Sequence, residues 1–197
     1  MVLIGSLYIA IIILWMMVEH TPREPIADPY LASMEVLTIV SAVALMGATI
    51  AVRCFAPMGR QGLASATFAI SSIAAVVTTA IHVRQLTIVR QAWRAGLIAD
   101  YRLVWPSRVL SVEYFVWDIL VGLTLICTSV TLWTDEVSSR VKWSTLVAGA
   151  LCILGAIGPL SNHMLLQNIA VFGYAVVLPI SAAWMARAFQ TVAPCET

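Results

Sequence analysis

The chain has 197 residues, of which 61% are hydrophobic and only 11% are charged, and its mean hydropathy is +0.94. Soluble domains carry about 25% charged residues, so this composition excludes an ordinary soluble domain and indicates an integral membrane protein. The formal net charge of +1 excludes the strongly basic surface that binds nucleic acid.

Six apolar runs are long enough, or nearly so, to cross a bilayer, which takes about 20 residues per helix. They cover residues 2–18, 31–52, 63–83, 109–133, 143–160 and 165–188. No Lys or Arg precedes the first run and no small-residue cleavage site follows it, so we interpret it as a retained span rather than a secretion signal. We therefore predict an all-α integral membrane protein: a single polytopic bundle of about six transmembrane helices, in a cell membrane that we expect to be bacterial.

Several residues refine the ends and the shape of these runs. The third run can continue as an amphipathic helix to Trp93, and Pro179 is expected to kink the sixth. Trp133, Trp143 and Trp184 fall near span ends, as interfacial anchors do. The Lys and Arg residues divide five against six between the two sides, so the rule that places positive loops inside the cell gives no orientation.

The fourth run contains the segment SVEYFVWDILVG, residues 111–122, which carries the carboxylic acids Glu113 and Asp118. Each acid costs roughly 2.5–3.5 kcal/mol at the centre of an inserted helix, so we expect at least one of them to have a function. On a regular helix that begins near Val109, Asp118 lies about 14 Å along the axis, close to the midplane, and Glu113 lies about 6 Å along it. The two side chains then point about 140° apart, so they do not form a proton-sharing pair.

Asp118 is the leading candidate for a general acid. Hydrocarbon favours the neutral form of a carboxyl group, and a neutral carboxylic acid can protonate an alkene or an epoxide. The neighbouring rings of Tyr114, Phe115 and Trp117 offer negative π-faces that stabilise a developing carbocation. In the alternative interpretation, Asp118 hydrogen-bonds to a neighbouring helix and only fixes the packing.

The third run carries a polar stripe at helical spacing, formed by Ser71, Thr78, His82 and Gln85. His82 could carry a second proton or orient a carboxylate. Alternatively, its ring donates to Thr78 or to the backbone one turn back and is structural. The stripe therefore predicts an inward face, whether or not His82 takes part in chemistry.

Charged residues at the ends of the second and third runs could reach the same region. Glu35 lies one turn into the second run, where it either reaches the mouth of the site or faces water. Arg84, Arg90 and Arg94 either bind an anionic head group or snorkel to the membrane surface.

The sixth run also presents a polar face. It is formed by His163, Gln167, Tyr174 and Ser181, at spacings of four and seven. Because polar side chains facing lipid are costly, this face should point inward, towards Asp118 and the third run. Asn162 precedes it and could contribute to the same site.

No metal or cofactor is expected. The four cysteines are scattered, without a CxxC motif or a Cys/His cluster at zinc spacing, and a haem held by two of the three histidines has no further support. The expected partners are a lipophilic small molecule and membrane lipids, with no nucleic acid.

A small polytopic protein with Glu113, Tyr114, Trp117 and Asp118 in one span and the acid Glu35 in another resembles the small integral-membrane terpene cyclases of fungal meroterpenoid and bacterial indole-terpenoid pathways. The resemblance implies that a carboxylic acid protonates an epoxide or terminal alkene, that the cation passes along the polyene, and that proton loss ends the reaction. The chain departs from the fungal members, which have seven spans. Its sequence also has neither the DxDD motif of soluble class II cyclases nor the Asp-rich metal motif of class I enzymes.

We therefore predict a membrane-bound, metal-independent terpene cyclase, an isomerase or lyase acting on an isoprenoid. The predicted catalytic residues are Asp118, Glu113, His82 and Glu35. The predicted substrate-binding residues are Tyr114, Phe115, Trp117, Gln85, Asn162, His163, Gln167 and Tyr174. Two alternatives stay open: a small proton-coupled transporter that uses the same acids as a relay, and a non-catalytic membrane protein that binds lipid or a partner.

Overall fold

The computed structural model describes residues 2–19, 28–98 and 105–191, and every regular element within these ranges is helical. Six long helices follow one another in the chain: α1 (Val2–Glu19), α2 (Tyr30–Phe55), α3 (Met58–Arg94), α4 (Arg108–Thr131), α5 (Ser139–Ser161) and α6 (Met164–Gln190). The predicted all-α class with about six helices is confirmed.

Five of these helices, α2 to α6, are long and apolar enough to cross a membrane, and α1 is a shorter apolar helix. Helix α3 has 37 residues, or about 55 Å at 1.5 Å per residue, so it continues well beyond the apolar run as its amphipathic end predicts. The fold is that of a multi-pass helical membrane protein.

The six helices form a closed ring. Each helix packs against the next one in the chain, and α6 packs against α1. Successive helices alternate in direction, so the beginnings of α2, α4 and α6 and the ends of α3 and α5 lie at one end of the ring. We call this the site end; the far end holds the α2–α3 and α4–α5 connections, where Arg60 donates to the carbonyls of Val130 and Trp133 at 2.5 and 2.8 Å.

Glycines allow α5 to approach both of its neighbours closely. A Cβ at Gly149 would lie 2.7 Å from the carbonyl oxygen of Gly122 in α4, and a Cβ at Gly158 would lie 2.5 Å from the backbone nitrogen of Gln167 in α6. Real Cβ atoms do not approach other atoms so closely, and such small-residue contacts are typical of membrane helices. The contact at Gly158 also fixes the position of Gln167 at the site end.

Buried hydroxyl groups are paired across the helices. Thr49 of α2 and Ser71 of α3 are 2.7 Å apart, and Thr145 of α5 and Ser181 of α6 are 2.5 Å apart. Ser71 and Ser181 are almost fully buried, as expected of the polar faces of the third and sixth runs. These pairs satisfy polar groups that would be costly in hydrocarbon.

Three helices contain a turn of π-helix: Gln85–Val89 in α3, Phe115–Val121 in α4 and Gly173–Val177 in α6. Such turns are rare inside α-helices and occur frequently at functional sites. The turn in α6 ends just before Pro179, so the distortion that we expect at this proline takes the form of a widened turn. All three helices contribute to the cavity described next.

Candidate active site

A cavity of about 400 Å³ lies at the site end between α2, α3, α4 and α6, within the range of about 300–1,000 Å³ that is typical of small-molecule sites. Its wall combines apolar side chains with polar and titratable ones. The apolar members are Leu31, Met34, Leu110, Met164 and Val171. The polar members are Glu35, Thr38, His82, Glu113, Tyr114, Gln167, Asn168 and Tyr174.

His82 of α3 and Glu113 of α4 meet on this wall, where Nε2 of the imidazole lies 3.2 Å from Oε1 of the carboxyl group. His82 is buried, and the Glu113 side chain is 19% exposed. Both ring nitrogens of His82 and Oε2 of Glu113 have no hydrogen-bond partner within the described ranges, so the two groups are in contact at an ion-pair distance without a hydrogen bond between them. These atoms are therefore open to hydrogen bonds with a molecule in the cavity.

Glu35 of α2 lies on the same wall and is held from behind by Arg90 of α3. The guanidinium donates to Asp28 from Nε at 2.9 Å and from Nη2 at 2.6 Å, and from Nη1 to Glu35 Oε2 at 3.5 Å. One positive charge thus faces two carboxyl groups. The other oxygen of Glu35, Oε1, accepts no hydrogen bond from the residues that the structure covers.

This arrangement separates the three arginines that the sequence grouped together. Arg90 is buried and ion-paired, so it does not project towards a head group at the surface. Arg84 and Arg94 are exposed.

Asp118 is fully buried in α4, where Gln167 Nε2 donates to its Oδ1 at 3.0 Å. Gln167 lies on the cavity wall and Asp118 does not. Asp118, which the sequence makes the leading candidate for a general acid, therefore lies behind the wall of this cavity, with the carboxamide of Gln167 between them. Oδ2 of Asp118 and Oε1 of Gln167 have no partner in the described part of the chain.

The angle of 140° expected between the side chains of Glu113 and Asp118 around the helix axis does not apply to α4. That angle assumed a regular helix, whereas α4 widens into the π turn Phe115–Val121. Backbone hydrogen bonds in a π turn join residues five apart, which brings such residues towards the same face. Glu113 lies on the cavity wall, whereas Asp118 lies behind it, bonded to Gln167.

Three of the predicted substrate-binding residues line the cavity: Tyr114, Gln167 and Tyr174. The others lie away from its wall. Phe115 points outward with 55% of its surface exposed, whereas Trp117 is buried in the core, with its ring 5.4 Å from that of Tyr174. Gln85 is buried on α3, one turn beyond His82, but is not part of the wall.

Asn162 and His163 lie outside the cavity because they form the tight connection between α5 and α6. Asn162 adopts a left-handed conformation with φ of 57° and accepts a hydrogen bond from Trp105 Nε1 at 3.0 Å. His163 is exposed beside it. Both residues shape this connection rather than the wall.

Sequence reasoning missed Asp28, the partner of Arg90. It lies in a proline-rich, acidic loop that is typical of solvated charge. One signal could have found it: an acidic residue directly before a helix is a common N-terminal cap, and its Oδ1 does accept the Ala32 N–H at 3.3 Å.

Chemically, the wall offers two carboxyl groups, an imidazole and two carboxamides beside apolar side chains. The carboxyl groups and the imidazole can donate protons to a bound molecule and accept protons from it. In the described residues, no three side chains of His, Cys, Asp or Glu are placed to hold a metal ion together.

Comparison of the chain with protein-family models, with curated proteins and with solved structures found no match. What can be inferred about function therefore comes from the geometry of the cavity.

Proposed function

We propose that this protein is an integral-membrane enzyme that acts on a lipophilic isoprenoid by acid-initiated carbocation chemistry, as a terpene cyclase does. The observation that carries the proposal is the convergence of Glu35, His82 and Glu113 from three helices on one cavity. The rings of Tyr114 and Tyr174 border the same space. Unpaired polar atoms buried at such a place call for an explanation, and a reacting substrate provides one.

Glu113 takes the role of general acid in this proposal, in place of Asp118. It lies on the wall, and it touches His82, which can return a proton to it. Asp118 acts through Gln167 as a positioning residue. Glu35 lines the same wall, its Oε1 has no hydrogen-bond partner among the described residues, and it accepts the final proton.

The reaction balances as an isomerisation. Glu113 transfers its proton to an epoxide oxygen, the C–O bond breaks with its electron pair on oxygen, and the electron-poor carbon is attacked by the next C=C bond. After ring closure, a C–H bond gives its proton to Glu35 and its electron pair forms a new C=C bond. With an alkene substrate, the proton adds to carbon instead, and the later steps are the same.

The rest of the wall suits such a cation. The faces of Tyr114 and Tyr174 attract positive charge, and Leu31, Met34 and Val171 provide an apolar surface for a hydrocarbon chain.

The proposal is tested with purified protein and a panel of prenylated epoxides and terminal alkenes, with the products separated by mass. We expect Glu113→Gln to lower turnover by a factor of about 10²–10⁴, the usual contribution of a general acid, with no change in the unfolding temperature large enough to explain the loss. Glu136→Gln removes an exposed acid at the far end and should leave turnover unchanged. Wild-type turnover in Glu113→Gln, or no conversion of any panel member by the wild-type protein, would contradict the proposal.

A proton-coupled carrier is the second candidate, and one observation favours it. The charged groups follow each other from Asp28 through Arg90 to Glu35 and from His82 to Glu113, an arrangement that could relay protons. In proteoliposomes, a carrier would transport a lipophilic cation across the membrane when a pH gradient is imposed. The variant Glu113→Gln would lose this transport. An enzyme would convert its substrate without any gradient.

A further inference from the structure

A second cavity of about 350 Å³ lies outside the site, between α1 and the second half of α6. Its wall is mostly apolar and includes Gly5 and Ile9 of α1 and Pro179 and Ile180 of α6. Ile9 and Ile180 are exposed, so the cavity is a groove that opens to the outside of the ring. In a bilayer, this groove faces lipid.

The length of the groove matches one leaflet. Its wall follows α6 from Ala175 to Arg187, which corresponds to about 18 Å at 1.5 Å per residue. Half of a hydrocarbon core is about 15 Å thick. A single acyl chain laid along the groove would therefore run from the middle of the membrane to its surface.

Two positive charges lie beside Trp184: Arg187, which with Trp184 lines the surface end of the groove, and Arg140 of α5, which is not on the groove wall but contacts the same ring. The guanidinium carbons of Arg140 and Arg187 are 5.0 and 5.4 Å from the Trp184 ring, so both cations lie beside one interfacial side chain. Neither arginine has a carboxylate partner among the residues whose positions are described. Guanidinium groups bind phosphate oxygens in pairs of hydrogen bonds, and basic groups at this depth attract anionic lipids.

We propose that the groove binds an acyl chain of an anionic phospholipid whose phosphate is held by Arg140 and Arg187. The apolar wall fits the chain, the length fits one leaflet, and the charge at its end complements the phosphate. This site is separate from the acid–base cavity and does not depend on the function proposed for it.

The proposal is tested by native mass spectrometry of the purified protein with phosphatidylglycerol and with phosphatidylcholine of the same acyl chains. The wild-type protein should retain phosphatidylglycerol at least tenfold better. The double variant Arg140→Gln/Arg187→Gln should lose this preference, whereas Arg84→Gln/Arg94→Gln, which removes two exposed arginines near the site end, should keep it. Ala183→Leu, which narrows the groove without changing the charge, should weaken binding of both lipids.

Three results would overturn the proposal. The first is equal retention of the two lipids by the wild-type protein, and the second is an unchanged preference in Arg140→Gln/Arg187→Gln. The third is displacement of phosphatidylglycerol by an equal concentration of soluble glycerol phosphate, because the site would then bind the phosphate without the groove.

Discussion

At the scale of single residues, Arg90 has the clearest structural role. It is buried and connects Asp28, just before α2, with Glu35 on the cavity wall. Removal of one partner from a buried ionic group leaves charge uncompensated in a low dielectric, which costs about 3–5 kcal/mol. Arg90 therefore couples the beginning of α2 to the end of α3 and holds Glu35 in place.

We expect Arg90→Gln to lower the free energy of unfolding by about 3–5 kcal/mol, measured by chemical denaturation in detergent. Addition of Glu35→Gln to this variant should recover part of the loss, since one of the two uncompensated carboxylates is then absent. Arg94→Gln, an exposed arginine one turn further along α3, should change stability by less than about 0.5 kcal/mol. Equal stability of Arg90→Gln and Arg94→Gln would contradict this role.

The sequence predicted which residues form the site better than it predicted how they are arranged. Glu35, His82 and Glu113 could be selected because charged and polar groups in an apolar span are costly, and all three lie on one wall. The position of Asp118 behind Gln167 could not be predicted, because it depends on a side chain from another helix. The role of these residues in catalysis stays a prediction.

At the scale of helices, the sequence predicts which side chains face inward only where the helix keeps the regular α-helical period. This period is correct for Ser71, Thr78 and His82 along α3, all of which are buried. The π turns Phe115–Val121 and Gly173–Val177 shift the facing positions in α4 and α6. Apart from Asp118, the residues of these turns are apolar or aromatic ones that are common in membrane spans, so no pattern in the sequence marks where a turn widens.

Close approach of α5 to α6 offers a test at this scale. A Cβ at Gly158 would meet the backbone of Gln167, so Gly158→Ala should push α6 away, lower stability and reduce turnover with the same substrate panel. Gly47→Ala in α2 is the matched control, since nothing lies within 4 Å of that Cβ. Because Ala favours a helix over Gly by up to about 1 kcal/mol, this control should be as stable as the wild-type protein or more so. Identical effects of the two substitutions would contradict the close approach.

At the scale of the whole molecule, composition and run length were sufficient to predict the fold class. Long apolar runs can satisfy their backbone hydrogen bonds in lipid as helices, so helix number and approximate bounds follow from the sequence. Closure of the ring by α6 against α1 could not be predicted, because it depends on contacts between the two ends of the chain. That the whole chain forms one domain, and that its membrane is bacterial, stay predictions.

The closed ring predicts that α1 crosses the membrane together with the five longer helices. Six spans place both ends of the chain on the same side, whereas five spans place them on opposite sides. Reporter fusions at each end, of a type that is active on only one side of the membrane, distinguish the two cases. We expect the same side for both fusions, and opposite sides would show that α1 does not cross.

The central claim is that Glu113 faces a cavity that accepts a lipophilic molecule, and it can be measured without knowledge of the substrate. The protein in its membrane is treated with dicyclohexylcarbodiimide, a lipophilic reagent that adds to neutral carboxyl groups, with and without an excess of a long polyprenyl alcohol, and modified residues are located by peptide mass spectrometry. We predict modification of Glu113, protection of Glu113 by the polyprenyl alcohol, and no modification of Asp118 behind Gln167. An unmodified Glu113, or modification that the polyprenyl alcohol does not reduce, would contradict the claim.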